Sequence, residues 1–339
     1  MSYAREFLSC DWGTTAFRLR WVRGVDCAVL RELREETGAK ALYEHAIKEG
    51  AVTAEQRGDV FARFLLTALE KLMPDAPART DRLPLVISGM ASSSVGWREL
   101  PYAKTPCHLD GRDLYFEELK WDAPAMVGTT YLISGMATRD DIMRGEETEI
   151  VGLMSDASLS NARDRCILIL PGTHSKHVRI KNETVIDLRT WMTGELFEVL
   201  GKHSLLRASV EAGITQTTGL TESRRIAFEK GVRWAKEAGL AGGLFRVRTR
   251  AVLDGQPISE NTAFFSGLLI GAELRHLADT SDDSPVLLGA AGRLSEAYAA
   301  ALDALLGKSR PWLQIPPEQV QRASLTGQAL FLGKFSLGI

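Results

Sequence analysis

Clustered positive charge is what this sequence most plainly lacks. Its 41 Lys and Arg are balanced by 43 Asp and Glu, for a formal net charge of −2. Tracking the phosphates of a nucleic acid needs a basic stripe, so no nucleic-acid partner is expected. A small anion needs only one or two local cations and remains open as a ligand. Cysteine is also scarce. Cys10, Cys27, Cys107 and Cys166 form no C-x-x-C pair, and four thiols in 339 residues do not make a disulfide framework. Cys10 and Cys166 sit in apolar strand-like runs and read as small core residues. No apolar run reaches the ~18 residues that span a bilayer. The opening MSYAREFLSCDWG has no signal-like apolar stretch. The expectation is no membrane and a cytoplasmic location. The G-x-x-x-x-G-K-[ST] pattern is missing, as is G-x-G-x-x-G after a strand, so neither a P-loop enzyme nor a dinucleotide-binding sheet is supported.

What is present is ordinary globular material, 45% hydrophobic and 25% charged, in a length that suits two domains. The same opening occurs twice. An apolar run ends at Asp11 in D-W-G-T-T, and Phe17, Leu19 and Trp21 then alternate with Arg18 and Arg20, which is strand periodicity. A turn at Arg23-Gly24 leads to a third strand, Cys27 to Leu33. About 160 residues later Cys166 to Leu170 runs into P-G-T-H-S-K, then His177 to Ile180, a polar K-N-E-T turn and Val185 to Leu188. Such a repeat is too long for a solenoid. It predicts an α/β protein of two similar domains with mixed sheets, 1–160 and 161–339, facing each other across a cleft, with the last helix packing back toward the first. Other expected helices are Thr53 to Met73, capped by Thr53 and Gln56 and ended by Pro74, then Asp141 to Met154, Leu196 to Leu206, Glu222 to Ala238, Phe264 to Leu277, Leu294 to Leu306 and Glu318 to Leu332. Leu83 to Ile87 and Val127 to Ile133 are strands, each running into S-G-M.

Several motifs suit phosphate chemistry. In D-W-G-T-T, Gly13 lets backbone approach a phosphate, consecutive N–H groups form a nest, Thr14 and Thr15 add hydroxyls, Asp11 suits a magnesium ion and Arg18 a terminal phosphate. A plain hairpin turn fits the same residues. In P-G-T-H-S-K, Gly172 and Thr173 repeat the nest, and His174 and Lys176 add a polar group and a charge. G-A-A-G, Gly289 to Gly292, follows a strand where a flat ring can lie, or is simply a tight turn into a helix. In R-G-E-E-T-E-I-V-G-L-M, Glu147 shares a helix face with Ile150, Val151 and Met154. A carboxylate there needs a partner or a task. Accepting a proton from a hydroxyl is one task, Glu146 is the neighbouring rival, and pairing with Arg144 or Arg139 is the structural alternative. Loops with Ser88, Gly89, Met90, Trp97, Tyr102 and Trp191 suit a polyhydroxylated ligand, although a single Trp more often packs a core.

Together, D-W-G-T-T-x-F-R, I-S-G-M, D-I-M-R-G-E-E-T-E-I-x-G-L, L-P-G-T-H-S-K-H, W-M-T-G-E-L-F-E-V-L and S-G-L-L-I-G-A-E resemble the 2-dehydro-3-deoxygalactonokinase family, within the actin, heat-shock-protein and sugar-kinase superfamily. The chain departs from that pattern at His177, where a Trp usually follows T-H-S-K. The resemblance implies actin-like (ribonuclease H-like) domains, ATP and Mg²⁺, and phosphorylation of the terminal (6-) hydroxyl of 2-dehydro-3-deoxy-D-galactonate. G-E-E-T is further similar to an exopolyphosphatase motif, which implies Glu147 as the base. Kinases for other keto-deoxy acids, an exopolyphosphatase-like hydrolase and an ATP-binding actin-like regulator are the competing readings. A homodimer is compatible with all of them.

Overall fold

Strand alternation builds the first unit. In the computed structural model, which describes residues 5–51, 53–74, 82–211, 221–279, 282–307 and 309–337, β1 (Glu6–Trp12), β2 (Phe17–Arg23) and β3 (Ala28–Glu35) form an antiparallel meander. Phe17 and Leu19 point into the core, and the register sets Asp11 directly opposite Arg18. Helix α1 (Ala39–Lys48) precedes α2 (Ala54–Leu72). The latter starts on a full capping box between Thr53 and Gln56, each bond 3.1 Å, and stops before Pro74. Its Phe61, Leu65 and Leu69 pack on Leu8, Cys10 and Leu19. Burying each such side chain contributes about 1.5–3 kcal/mol.

On the other side of β1, β4 (Leu83–Gly89) runs parallel to it. After β5 (Ala103–Lys104), β6 (Cys107–His108) and β7 (Phe116–Glu118), β8 (Val127–Ile133) runs parallel to β4. The sheet order is β3-β2-β1-β4-β8-β7. Next, β9 (Met136–Ala137) and β10 (Ile142–Met143) join β5 in a small sheet, and α3 (Glu146–Met154) follows.

The second unit repeats the scheme. Strands β11 (Arg165–Leu170), β12 (Ser175–Lys181) and β13 (Thr184–Trp191) make the meander. Asn182 and Glu183 both take left-handed φ, 50° and 57°, as a two-residue hairpin turn requires. Then come α4 (Thr193–His203), α5 (Glu222–Val252), α6 (Ile258–Asp279), β14 (Val286–Leu288), α7 (Arg293–Leu306), β15 (Trp312–Gln314) and α8 (Pro317–Leu337). Strands β11, β14 and β15 are parallel, in the order β15-β14-β11-β12-β13. Phe228, Phe264, Phe265 and Leu268 bury the α5–α6 hairpin. By contacts, the first unit is Met1–Arg163, Glu183–Asp187 and Arg322–Ile339, and the second is Asp164–Asn182 and Leu188–Gln321. Most of α8 thus packs in the first unit.

Several helix boundaries differ from expectation. Asp141 to Met154 is not one helix: Ile142 and Met143 are strand, and Gly145, at φ 112°, turns the chain before α3. Beyond Ala238, Gly239 breaks the helix at φ 68°, yet a glycine-rich stretch re-forms it to Val252 against α6. Both α4 and α6 start earlier than the apolar pattern suggests, at Thr193 and Ile258, because their first turns are polar. Helix α1 was invisible to the pattern, since it buries only Ala39, Leu42 and Ala46.

Candidate active site

The carboxyl ends of parallel strands are where open α/β sheets hold ligands. In the first unit those ends bring Asp11 of β1 beside Ser88 of β4. Both S-G-M segments follow such strands, β4 and β8. The glycine loop after Asp11 is fixed from behind. Gly38, Ala39 and Lys40, at the start of α1, donate their N–H groups to the carbonyls of Thr15, Gly13 and Thr14 at 3.0–3.1 Å. With its carbonyls taken, the loop leaves Thr14 and Thr15 exposed. No side chain fits at Gly38, where a Cβ would stand 2.4 Å from the Thr14 oxygen.

Opposite charge is short around Asp11. Arg18 faces it across the ladder, and Arg20 is buried against Glu32 at 2.8 Å. Burial pushes the Asp11 carboxyl up, Arg18 and Arg20 pull it down, and Glu146 adds repulsion. The acids of α3 divide by face. Glu147 is 0% exposed, and both its oxygens accept the Gly145 N–H, at 2.9 and 2.7 Å. Glu146 accepts the Arg144 N–H at 3.1 Å. Glu149, not singled out from the sequence, is half-buried and feels Asp11. Its carboxyl rises to about 8, first by burial and then by repulsion from Asp11, Glu146 and Glu147. Glu147 also rises to about 8, by burial and then Glu146, against the backbone bonds it accepts. The i, i+3 spacing of Glu146 and Glu149 was the signal for this missed residue.

Arg144 is not the partner of Glu147. Its guanidinium donates to the Ser92 carbonyl, to Ser92 Oγ at 2.6 Å and to the Leu100 carbonyl at 3.1 Å, and lies 4.1 Å over the Tyr102 ring. It therefore clamps the two loops after β4 to the start of α3. Arg139 lies on the surface, 3.8 Å from Asp140. Ser88 is fully buried, and its hydroxyl accepts the Gln328 amide at 2.8 Å, which also reaches the Cys10 carbonyl at 2.9 Å. Gly89 and half-buried Met90 follow, with Gly89 at φ 90°. Trp97 packs among Trp12, Trp121 and Gly58, in the core of the first unit.

In the second unit, the loop after β11 and the end of β14 stand side by side, and Gly289 donates to the Ile169 carbonyl at 2.8 Å. Gly172 and exposed Thr173 meet the N-terminus of α4. The Glu195 N–H reaches the Thr173 carbonyl at 3.1 Å, and His174 Nε2 lies 2.5 Å from Glu195. Lys176 Nζ folds back onto the His174 carbonyl at 3.1 Å. Gly172, Thr173, Thr193, Gly194, Ser266 and Tyr298 help line a pocket of 220 Å³, closed at one side by Leu294 just beyond Gly292. A helix N-terminus beside a glycine turn suits an anion. This contribution of α4 was missed because T-W-M-T-G-E read as a polyol loop. Trp191 instead stacks on His276, 5.3 Å between rings.

Each unit thus carries a three-stranded antiparallel meander whose first strand is continued by two parallel strands, with a glycine loop after that first strand. That duplication defines the class, the actin-like fold that sugar kinases use. The family model described as 2-keto-3-deoxy-galactonokinase matches residues 11–326. The chain belongs to that family, and it is a carbohydrate kinase. It is 33% identical over 313 residues to a "Probable 2-dehydro-3-deoxygalactonokinase" of Rhizobium meliloti, covering 89% of this chain and 90% of the relative. Identity is 28% over 305 residues to the 2-dehydro-3-deoxygalactonokinase of Escherichia coli, covering 88% and 90%. A crystal structure of a candidate 2-dehydro-3-deoxygalactonokinase from Sinorhizobium meliloti superposes with a TM-score of 0.72 at 28% identity, over 95% of both chains.

Proposed function

We propose that this kinase transfers the terminal phosphoryl group of ATP to the 6-hydroxyl of 2-dehydro-3-deoxy-D-galactonate. The observation that carries the reading is the carboxyl group of Asp11 at a strand end, beside a pinned glycine loop and facing the acids of α3. In the second unit, Gly172, Thr173 and the α4 N-terminus hold phosphate, with Gly289 and Gly292 toward the nucleoside.

Asp11, at the end of β1, is a hard oxygen donor. Among the described residues, no three His, Cys, Asp or Glu side chains converge as a metal cage. That fits Mg²⁺, which takes one or two carboxylates and completes its shell with phosphates and water. When bound, it would neutralise charge on the phosphates. Thr14 and Thr15 offer donors to phosphate oxygens, and Arg18 adds a cation.

Glu149 takes the hydroxyl proton in this reading. The nucleophile gains little bond order early in a loose transition state, so the acceptor mainly orients the hydroxyl and accepts its proton late. A carboxyl raised to about 8 is matched to that task. In this reading Glu147, the acceptor expected from the sequence, serves to hold the Gly145 N–H.

ADP release measured across a panel of keto-deoxy sugar acids tests the function. Release that depends on 2-dehydro-3-deoxy-D-galactonate, with product phosphorylated at C6, is expected. Cleavage of polyphosphate, or ADP release unaffected by any acid, would overturn the reading.

Gly38→Ala is expected to lower kcat/KM by roughly 10²-fold, the scale of a 1 Å misplacement. The added methyl displaces the Thr14 carbonyl and hence the glycine loop. Steady-state kinetics with circular dichroism on the same preparation checks this. A folded variant with wild-type kcat/KM would show that the loop does not need its support from α1.

A further inference from the structure

Beneath the second glycine loop lies a buried polar chain that the proposed chemistry does not use directly. His177 is 3% and Glu273 1% exposed, and His177 Nε2 stands 2.8 Å from Glu273 Oε1. The other oxygen, Oε2, accepts hydrogen bonds from the Thr193 hydroxyl and, at 2.7 Å, from the Tyr298 hydroxyl. Tyr298 OH in turn lies 2.8 Å from Ser175 Oγ, and the Gly172 N–H reaches that oxygen at 3.4 Å. These groups come from β12, α4, α6 and α7.

The protons can be placed along the whole chain. His276 Nδ1 lies 2.8 Å from the backbone carbonyl of Glu273, which can only accept, so His276 donates there. Burial, and then the charge of His177, hold the His276 ring down at about 4, so it is neutral and its Nε2 accepts. That nitrogen faces His177 Nδ1 at 3.4 Å. His177 thus has the His276 acceptor at Nδ1 and the Glu273 carboxyl group at Nε2, an arrangement that suits an imidazolium–carboxylate pair. Tyr298 gives its proton to Glu273, Ser175 gives its own to Tyr298, and Gly172 donates to Ser175. Trp191 roofs the pair, stacked on His276.

Two members, Thr193 and Tyr298, line the 220 Å³ pocket, and a third, Ser175, belongs to the loop itself. From this geometry we infer that the His177–Glu273 ion pair positions the phosphate-holding loop and the start of α4, so that Glu273 is a positioning residue for nucleotide binding. The inference rests on the assignment of that pocket to the nucleotide. One carboxylate fixes the hydroxyls of Thr193 and Tyr298 at once, and through Tyr298 the rotamer of Ser175. Loss of that carboxylate frees three side chains on two sides of the pocket.

Breaking a buried pair by removing one member leaves an unpaired charge and endangers the fold, whereas replacing both members with apolar residues is often neutral. The test is therefore the double variant His177→Leu/Glu273→Met, beside Tyr298→Phe, which deletes one hydroxyl and keeps the ring. Both are expected to raise the KM and Kd for ATP on the order of tenfold, about one or two hydrogen bonds' worth. The KM for the sugar acid should stay within about twofold, and the double variant should keep its Tm. Ser266→Phe, which fills the pocket without touching the chain of hydrogen bonds, is the companion. If Ser266→Phe leaves ATP affinity unchanged, the nucleotide assignment of the pocket falls. If Ser266→Phe weakens ATP while the double variant and Tyr298→Phe bind it normally, the positioning role of Glu273 is overturned.

Discussion

Glu149→Gln is expected to lower kcat by roughly 10²–10⁴-fold, the usual range for general acid–base catalysis, and to stabilise the ligand-free protein above neutral pH. The two effects share one cause. Glu149 stands in a crowd of like charge, with Arg18 as the cation that opposes it, and its carboxyl is raised to about 8. The folded chain therefore keeps this proton where the unfolded chain, with a pKa near the ordinary value of about 4.3, has lost it. Between those two values the folded state binds more protons, so its stability falls as pH rises. Glutamine carries no such penalty. At pH 8 the gain, discounted for partial exposure, is about 1–3 kcal/mol, or roughly 2–6 °C in Tm, and it should vanish near pH 4.5. Melting curves at the two pH values, beside kcat, check both halves. Glu147→Gln should be milder in kcat, because glutamine can still accept the Gly145 N–H. The reverse ranking would move the proton acceptor to Glu147, and near-normal kcat in both would mean that neither serves.

Asp11→Ala is expected to abolish phosphoryl transfer, by about 10³-fold or more, while the protein stays folded. Nothing in the core depends on the carboxylate: it sits half-buried at a strand end, and burial with Glu146 opposes its charge. Its removal relieves crowding but leaves the nucleotide's metal without its strand-end carboxylate, which matters because positioning and electrostatics supply nearly all of the catalysis in phosphoryl transfer. ATP affinity measured without Mg²⁺ should be unchanged, and the Mg²⁺ concentration for half-maximal residual rate should rise. Wild-type turnover in this variant would remove Asp11 from the metal and the mechanism alike.

Much of this was legible in the chain. Alternation of Phe17, Leu19 and Trp21, the apolar run Cys166 to Leu170 and the turn chemistry of K-N-E-T each report on a few neighbouring residues, so the duplicated meander could be read directly. The capping box at Thr53 is equally local and stands as expected. The site was less legible. Trp97 and Trp191 lie in segments whose residue types would suit a sugar, but an indole ring gives no sign in sequence of whether it faces a ligand, a core or a histidine. Helix α1 buries too few apolar residues to announce itself, and its structural role lies in first-turn N–H groups that bond the glycine loop, groups that lack partners within any helix.

By itself, then, the sequence determined the α/β class, the twofold repeat of strand, glycine loop and strand, and the residue types available for phosphate chemistry, because periodicity, capping and turn preference act over a few residues. Tertiary structure alone decided which groups act together. Glu146, Glu147 and Glu149 lie within four consecutive positions of one helix, and successive residues turn by about 100°, so what stands opposite each acid sets its role. Asp11 repels Glu149, the Gly145 amide holds Glu147, and Gln328 enters from α8, 240 residues beyond Ser88. The His177–Glu273 pair likewise joins residues 96 positions apart. Contacts of that range arise only when strands and helices pack, since no local preference carries information about a partner so far along the chain.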